Sequence, residues 1–575
     1  MEKENIVCSR TSKPPIDPLN CLKANAELFT IGMIQPVGKV RVAPDFVGNS
    51  DREGSKQKFW KYLVLAKKRN WDLVLTPEYS CPWEALVEAL TNGEMPGKGK
   101  LWVLGCEGIT PDGLCELRNT YGNIIWRFEK PRQLDFEGKH YLDPVCYVMR
   151  SSDDCPVVFV QFKGCTMADA NGEHEREHMI CGRTRYILKN KVSTVYLTTL
   201  ICSDTLASDL SIEECAQMRE EPFLYLHLQL CEDPRNEAFA NFRRSAYSEG
   251  RSEWEFICLN WARGTQIPGI APLKFGGSAY YSPSPDVSTK DARINDNHSM
   301  GLYFTYAPKK RTHMYYFNYD EHVYCLKTTK ASIGGASGPK KGNKRTGPRM
   351  VQTYRWTHGE CDWTGDAVPN DGFPERCAAF PEELEPFSDT RIPPLDRERL
   401  LEISTGRAGK TASRNWHWHS PRQITSMRIE HNEILKRGVF CQDPDPESED
   451  AWKQQATLLA YLRNTVLPNP NHIPCELGVL CDNPLLVCPK GTNELAYNLQ
   501  SGKGGTKGTG AYIGNATSEQ AQVVFARMQA LEGVDPTILA VWYNTGSGIR
   551  CEVNGERAID KTNDNPADIA GGDSA

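Results

Sequence analysis

Long apolar runs are missing from this chain of 575 residues. A helix that crosses a bilayer needs about 20 consecutive apolar residues, and no window of the sequence approaches that length. The N-terminal segment also lacks the apolar stretch of a secretion signal. We therefore expect a cytoplasmic protein with no membrane association.

A strong charge of either sign is also missing. The formal net charge is −6, and 24% of the residues are charged. Proteins that coat nucleic acids present a broad basic surface, which this balance does not provide. Nucleic acid is therefore not an expected partner.

The cysteines do not form a regular framework. There are 21 of them, an odd number, and they are scattered through apolar segments. This distribution is typical of free thiols in a reducing compartment. His358 and Cys361 have a short spacing, but no second close pair follows them, so the pattern predicts no zinc site.

What the sequence does contain is an alternation of short buried strands and helices. One helix is predicted to begin after Ser50 or Asp51, either of which can cap it. Its apolar stripe consists of Phe59, Tyr62, Leu63 and Ala66. Strands interleaved with helices and hairpins predict a layered α/β fold with a mixed sheet. The main predicted strands are 29–36, 71–75, 101–105, 145–149, 157–162, 223–230 and 256–260. The turn-rich segment between 145–149 and 157–162 predicts a hairpin, and a helix is expected around 236–250.

This alternation stops near residue 331. Residues 331–350 are rich in glycine and lysine and have no periodicity, which predicts a flexible basic linker. Residues 351–575 follow as a C-terminal α+β region of unknown role, and residues 1–28 are interpreted as an N-terminal tail. The central domain is therefore predicted to span 29–330.

Three predicted strands end in residues that can carry chemistry. Glu78 follows the strand 71–75, Lys163 follows the strand 157–162, and Cys202 lies between an apolar run and a turn. Layered α/β folds place their sites at the carboxyl ends of strands. Taken singly, each residue has an ordinary structural explanation, such as core packing for the cysteine. Only their combination indicates a site.

In these segments the chain resembles the nitrilase, or carbon–nitrogen hydrolase, superfamily over about residues 29–330. The resemblance implies that Glu78 is a general base, that Lys163 stabilises an anion and that Cys202 is the nucleophile. The similar segments, in order, are "FTIGMIQP", "WDLVLTPE", "VQFKG", "LICSD", "NWARG" and "GGSAYYSP".

The resemblance also implies a fold and an assembly. The expected fold is a four-layer αββα sandwich, here with an additional C-terminal α+β region. Members of the superfamily pair across a two-fold axis, so a homodimer or a higher homo-oligomer is expected. The implied chemistry passes through a thioester on the cysteine and needs no metal and no organic cofactor.

Two assignments within the resemblance leave alternatives. Lys130 also follows a strand-like run, but the family's lysine lies on the strand just before the cysteine segment, which favours Lys163. Family members often use a second glutamate between the lysine and the cysteine. Glu173, Glu175 and Glu177 all qualify, and Glu175 is favoured.

The chain departs from the family just after the cysteine. An Arg-aromatic-Pro-Glu segment is usual there, whereas this chain has "CSDTLASDL". The identity of the substrate therefore cannot be carried over beyond a small-molecule amide or nitrile. The expected function is a thiol-dependent amidohydrolase that cleaves a non-peptide C–N bond through this Glu-Lys-Cys triad.

A second hypothesis comes from the same departure and from the large C-terminal region. The nitrilase-like domain would then be a degenerate binding or assembly module of a multidomain effector or sensor, for example in bacterial antiviral defence. Its C-terminal region would contact a protein partner.

Overall fold

The fold is taken from a computed structural model. The residues that it describes are 2–23, 28–129, 138–167, 172–191, 195–206, 223–231, 239, 242, 254–273, 278–283, 297, 300–307, 312–318, 320–329, 348–365, 378–385, 400–407, 446–481, 483–487, 497–503, 505–529 and 534–553.

Strands outnumber helices among these residues. The helices are α1 (Arg52–Arg69), α2 (Trp83–Thr91), α3 (Pro111–Thr120), α4 (Glu173–His178), α5 (Pro446–Tyr461) and α6 (Ser518–Gln529). The strands are β1 (Glu2–Cys8), β2 (Leu28–Gln35), β3 (Val40–Ala43), β4 (Phe46–Asn49), β5 (Leu73–Cys81), β6 (Leu101–Cys106), β7 (Ile125–Phe128), β8 (Pro144–Arg150), β9 (Pro156–Phe162), β10 (Thr184–Asn190), β11 (Tyr196–Ile201), β12 (Phe223–Leu228), β13 (Glu255–Leu259), β14 (Ala279–Pro283), β15 (Leu302–Ala307), β16 (Thr312–Phe317), β17 (His322–Thr329), β18 (Arg349–Thr357), β19 (Asp362–Gly365), β20 (Leu485–Leu486), β21 (Leu499–Gln500), β22 (Lys507–Asn515), β23 (Leu539–Asn544) and β24 (Ile549–Val553).

The chain divides into two compact units, and the predicted domain boundaries stay predictions. The first consists of Met1–Asp286, Lys310–Pro369 and Ile429–His431, and the second of the remaining residues. β1, from the segment interpreted as a tail, pairs in parallel with β10. The predicted linker 331–350 lies outside the described residues except for 348–350, and β18 begins at its end.

The first unit contains a mixed nine-stranded sheet. Its strand order is β19-β18-β17-β2-β5-β6-β8-β9-β7, with β2, β5 and β6 parallel to one another. β8 and β9 form the antiparallel hairpin predicted from the sequence. The hairpin register pairs Pro144 with Phe162, and this register later positions the site.

Helices α1, α2 and α3 cover one face of this sheet. Asp51 caps α1 by accepting a hydrogen bond from the Gly54 amide, and Asn70 ends it with a φ of 55°. The apolar stripe predicted for this helix is buried against the sheet, as are alternate strand residues such as Trp102 and Leu104. Their neighbours Leu101 and Val103 are also fully buried, so the opposite face of the sheet is covered as well.

A second sheet of the same unit provides that cover. Within this sheet the strands of the first unit lie side by side in the order β1-β10-β11-β12-β13-β14-β16. β14 therefore pairs with β16 and not with β15. Gln161 of β9 joins the two sheets. Its side chain donates to the Thr199 carbonyl and accepts from the Tyr186 amide, both at 3.0 Å.

The chain therefore has the mixed α/β fold class predicted from the sequence. One helical layer and two facing sheets are described. The helix predicted near 236–250, which would belong to the second helical layer, lies outside the described residues apart from single positions. The four-layer αββα sandwich consequently stays a prediction.

The second unit contains a smaller five-stranded sheet. Its order is β20-β21-β22-β23-β24, and α6 packs on it through Phe525 and Met528. Asn498 stabilises this sheet from inside, because its side chain bonds both to the Gly510 backbone and to Ser404. None of the helices in the described part of the chain is long and apolar enough to cross a bilayer.

Candidate active site

Lys163 lies at the centre of the candidate site, directly after β9. Its amide donates to the Asp143 carbonyl at 2.9 Å, and its carbonyl accepts from the Gly182 amide at 2.7 Å. The side chain is buried, and its Nζ lies 2.8 Å from Glu78 Oε1 and 2.6 Å from Glu175 Oε1. Asp143 Oδ2 lies 3.8 Å from the same nitrogen. One buried ammonium therefore faces three carboxyl groups.

The sequence predicted that Glu78 follows its strand. In the structure it lies inside β5, which continues to Cys81. The pairing with β6 shifts between Thr76 and Cys81, and Tyr79 has a φ of 55°. This irregular segment turns the Glu78 side chain toward Lys163. Gly105 of β6 makes room for it, because a Cβ there would overlap the backbone at Pro77.

Both carboxylate oxygens of Glu78 are held in place. Oε1 accepts from Lys163, and Oε2 accepts from the Leu230 amide at 2.6 Å. The Glu78 carbonyl also accepts from the Trp261 indole at 2.8 Å. Such contacts fix a carboxylate in one orientation, as a general base requires.

Among the three candidate second acids, the structure brings Glu175 to Lys163. It lies on α4, and its Oε2 accepts from the Met167 amide at 3.1 Å while Tyr79 donates to Oε1 at 3.4 Å. Glu173 and Glu177 lie on the same short helix but are exposed. Lys130, the alternative lysine, lies outside the described residues.

Cys202 begins a short 3-10 turn, Cys202–Leu206, directly after β11. Its φ of 39° lies in the left-handed region, which is strained for a residue with a side chain. His227 donates from Nε2 to the Cys202 carbonyl at 2.9 Å. The side chain is only 1% exposed. Strained backbone of this kind concentrates at functional sites.

Asp204 connects the cysteine turn to the lysine. Its buried carboxylate accepts from the Ile201 amide at 3.1 Å and from the Gly164 amide at 2.8 Å. Ile201 precedes Cys202, and Gly164 follows Lys163. The two catalytic candidates are therefore held in register by one side chain. Asp204 therefore has a positioning role.

The burial of these charges changes how they titrate. Burial raises the pKa of Glu78, and the Lys163 charge only partly opposes this. Burial also raises the pKa of Asp143 well above its usual range, and the charge of Glu78 adds to the effect. Burial alone would lower the pKa of Lys163, but Glu175 and Glu78 outweigh it and raise it well above the ordinary value. The cluster therefore combines a permanent cation with a Glu78–Asp143 pair that retains a proton more readily than exposed carboxyls do.

The thiol of Cys202 belongs to the same electrostatic system. A hydrogen bond with the Cys231 thiol, burial and the charge of Glu78 raise its pKa well above the ordinary value, while Lys163 lowers it. The resting group is therefore a neutral thiol. A base must take its proton at the moment of attack.

Three of these carboxyl groups are arranged as a cation site. Ligand oxygens of Glu78, Asp143 and Glu175 all lie within 4.8 Å of one another, the spacing of groups that can bind a metal ion. In this protein the Lys163 ammonium lies among them. The Lys163 ammonium therefore occupies the position that a metal ion would take among these three carboxyl groups.

Asp143 and Cys231 are the members of the site that the sequence did not single out. The β8–β9 hairpin offered a signal for Asp143, because extending its register past Pro144 and Phe162 places Asp143 opposite Lys163. Cys231 carried no local signal. Asn260, in the "NWARG" segment, holds it, and Ser278, in "GGSAYYSP", holds Asn260 in turn.

Comparison with protein-family models and with curated proteins finds no match. Structural neighbours are glutamine-dependent NAD+ synthetases. One, from Acinetobacter baumannii in complex with ADP, has 11% identity and a TM-score of 0.31 over 55% of this chain and 50% of that one. Another, from Cytophaga hutchinsonii, has 10% identity and a TM-score of 0.26 over 90% of this chain and 65% of that one. The chain thus spans between half and two thirds of their length, and at these values the likeness establishes no activity.

Proposed function

We propose that this protein is a thiol-dependent amidohydrolase that cleaves a non-peptide carbon–nitrogen bond, in an amide or a nitrile, with Cys202 as its nucleophile. The observation that carries the proposal is the buried Lys163, 2.8 Å from Glu78 and 2.6 Å from Glu175, at a strand end tied to the Cys202 turn. A cation, a base and a thiol in one buried site are what attack on a carbonyl or nitrile carbon requires.

Glu78 is the base in this mechanism. Its burial favours the protonated form, so it accepts a proton more readily than an exposed carboxylate. The thiol of Cys202 is neutral at rest and gives up its proton as the sulfur attacks the substrate carbon. A positioned base of this kind contributes about 10²–10⁴ in rate.

Lys163 stabilises the charge that the attack creates. The substrate heteroatom becomes negative as the tetrahedral adduct forms, and the fixed ammonium lies in a buried environment where its field is weakly screened. Removing one such stabiliser costs on the order of 10²–10³ in rate. Glu175 Oε1 accepts a second hydrogen bond from the ammonium at 2.6 Å and so helps to keep it in position.

The cycle closes with one water molecule. For an amide, Glu78 returns the proton to the leaving nitrogen as the C–N bond breaks, giving an amine and a Cys202 thioester. Water then attacks the thioester carbon, Glu78 accepts its proton, and the thiol is regenerated with release of the acid. A nitrile requires one further water to reach the same thioester with release of ammonia.

Covalent trapping tests the proposal. A panel of small amides and nitriles is incubated with the protein, and the adduct is measured by intact mass and located by peptide mapping. We expect an adduct on Cys202 in the wild type and in Cys258→Ala, which removes another buried cysteine, and none in Cys202→Ala. Equal adduct formation by Cys202→Ala would contradict the assignment.

The degenerate binding module is the alternative outcome of the same test. The missing Arg-aromatic-Pro-Glu segment after Cys202 favours it. In that case the correctly folded wild type forms no adduct with any member of the panel. Homo-oligomerisation and a protein partner for the C-terminal region stay predictions.

A further inference from the structure

A second thiol lies beside the candidate nucleophile and has no part in the mechanism above. β11 and β12 run parallel, with Ile201 paired to Leu228, so both chains leave the sheet at the same edge. Cys202 and Cys231 follow those strand ends and share one small buried cluster with Phe239. The Cys231 thiol is the largest cause of the raised pKa of Cys202, as expected for two sulfurs that share this cluster.

The backbone on both sides of this pair is fixed. His227 holds the carbonyl of Cys202 at 2.9 Å. Asn260 holds Cys231 from both directions, because its Oδ1 accepts from the Cys231 amide at 3.1 Å and its Nδ2 donates to the Cys231 carbonyl at 2.8 Å. A side chain that brackets one residue in this way restricts where its sulfur can lie. The pair is therefore held together by the surrounding fold and not by chance contact.

We propose that Cys202 and Cys231 are the site of a reversible disulfide that forms when the protein meets a peroxide. The pairing follows from the position of the two thiols. Its consequence, loss of the nucleophile and recovery on reduction, rests on the function proposed above. A disulfide also prevents irreversible oxidation of Cys202 to the sulfinic or sulfonic acid.

The chemistry balances with one peroxide molecule. Glu78 accepts the Cys202 proton as the sulfur attacks a peroxide oxygen. The O–O bond breaks, the leaving hydroxide takes that proton from Glu78 and departs as water, and Cys202 becomes a sulfenic acid. The Cys231 sulfur then attacks the Cys202 sulfur, the S–O bond breaks, and a second water leaves. Two thiols are oxidised by two electrons in total, and hydrogen peroxide is reduced. A thiol donor reverses the reaction by exchange.

Two other cysteines near the site provide a contrast. Cys165 and Cys181 are partly exposed and lie on the segments that flank Lys163. The Cys165 thiol donates to the Thr166 carbonyl at 3.5 Å, and neither residue belongs to the buried cluster of Cys202 and Cys231. If exposure alone decided which thiols are oxidised, Cys165 and Cys181 would react first. If proximity to Cys202 decides which thiol forms the disulfide with it, Cys231 is the partner.

The test treats the full-length protein with hydrogen peroxide, blocks the remaining thiols with an alkylating agent in acid, and maps peptides without reduction. We expect a Cys202–Cys231 cross-linked peptide that lacks two hydrogens and disappears on reduction. Cys231→Ser should instead accumulate sulfinic or sulfonic acid at Cys202, while Cys165→Ser should still form the cross-link. Circular dichroism of each variant checks that it is folded.

Adduct formation with amide or nitrile probes is measured in parallel. We expect labelling of the wild type to fall in proportion to the cross-linked fraction and to return on reduction. A cross-link in a protein that no probe labels would leave the pairing intact and contradict the proposed function. Cross-linking of Cys202 to Cys165 or Cys181, or none while Cys202 over-oxidises in the wild type, would overturn the pairing.

Discussion

Replacing Lys163 by methionine tests the electrostatics of the site most sharply. Methionine fills a similar volume but removes the cation that faces Glu78, Asp143 and Glu175. Removing one partner of a buried ion pair costs about 3–5 kcal/mol of unfolding free energy, because the other charge stays buried and uncompensated. We expect a loss of that size at pH 8.

The loss should be smaller at pH 5 because the carboxyl groups that face Lys163 have raised pKa values. Lys163 has a raised pKa in the folded protein, so its stabilisation is present in full below its unfolded value and changes little between pH 5 and pH 8. In the variant, the buried carboxylates have no cation beside them, and only protonation removes the cost of their buried negative charge. Folded carboxyls with raised pKa values bind more protons than unfolded ones, so stability falls as the pH rises. Each carboxyl group that stays protonated in the folded variant over this range lowers the free energy of unfolding by up to about 4 kcal/mol between pH 5 and pH 8.

Unfolding by urea, followed by tryptophan fluorescence at both pH values, measures the effect. Lys67→Met is the matched control, since Lys67 forms an ion pair of 3.1 Å with Glu94 on the surface. An exposed pair contributes about 0–1 kcal/mol and has little pH dependence in this range. If Lys163→Met loses no more stability than this control, or loses the same amount at pH 5 and pH 8, the electrostatic role assigned to Lys163 is wrong.

Three further substitutions test other parts of the account. Burial raises the pKa of Glu107 from 4.5 to about 7, so the folded protein binds more protons there than the unfolded chain and stability falls as the pH rises from about 4.5 to 7. Glu107→Gln should therefore raise the free energy of unfolding by at most about 3 kcal/mol at pH 8 and hardly at pH 5. An equal gain at both pH values would contradict this. Asp204→Asn loses an acceptor for the Gly164 or Ile201 amide, which should cost about 1–3 kcal/mol in urea unfolding; an unchanged midpoint would count against its positioning role. Glu175 holds the Lys163 ammonium, so Glu175→Gln should slow probe adduct formation by about 10²-fold, whereas the exposed Glu177→Gln should not. Equal rates would remove Glu175 from the site.

Much of the first unit was predictable because its segments carry strong local signals. The hairpin of β8 and β9 and the helix α1 follow directly from apolar periodicity, and Asp51 rather than Ser50 proved to be the cap of that helix. Local signals of this kind depend on neighbouring residues alone. The elements that they specify can therefore be predicted without knowledge of the rest of the fold.

The features that sequence reasoning missed depend on distant contacts. β5 continues past Glu78 because its irregular pairing with β6 extends to Cys81, which no local pattern encodes. β1 joins the second sheet by pairing with the edge of β10, whose residues lie 182 positions further along the chain. Cys231 meets Cys202 through the pairing of β11 with β12. In each case the partner strand, and not the segment itself, determines the outcome.

A crystal structure of the protein trapped with a small nitrile is the most direct test of the central claim. We expect continuous density from the Cys202 sulfur to the probe carbon, with the probe heteroatom within about 3 Å of Lys163 Nζ. A probe bonded to any other cysteine, or a Cys202 adduct whose heteroatom points away from Lys163, would contradict the account.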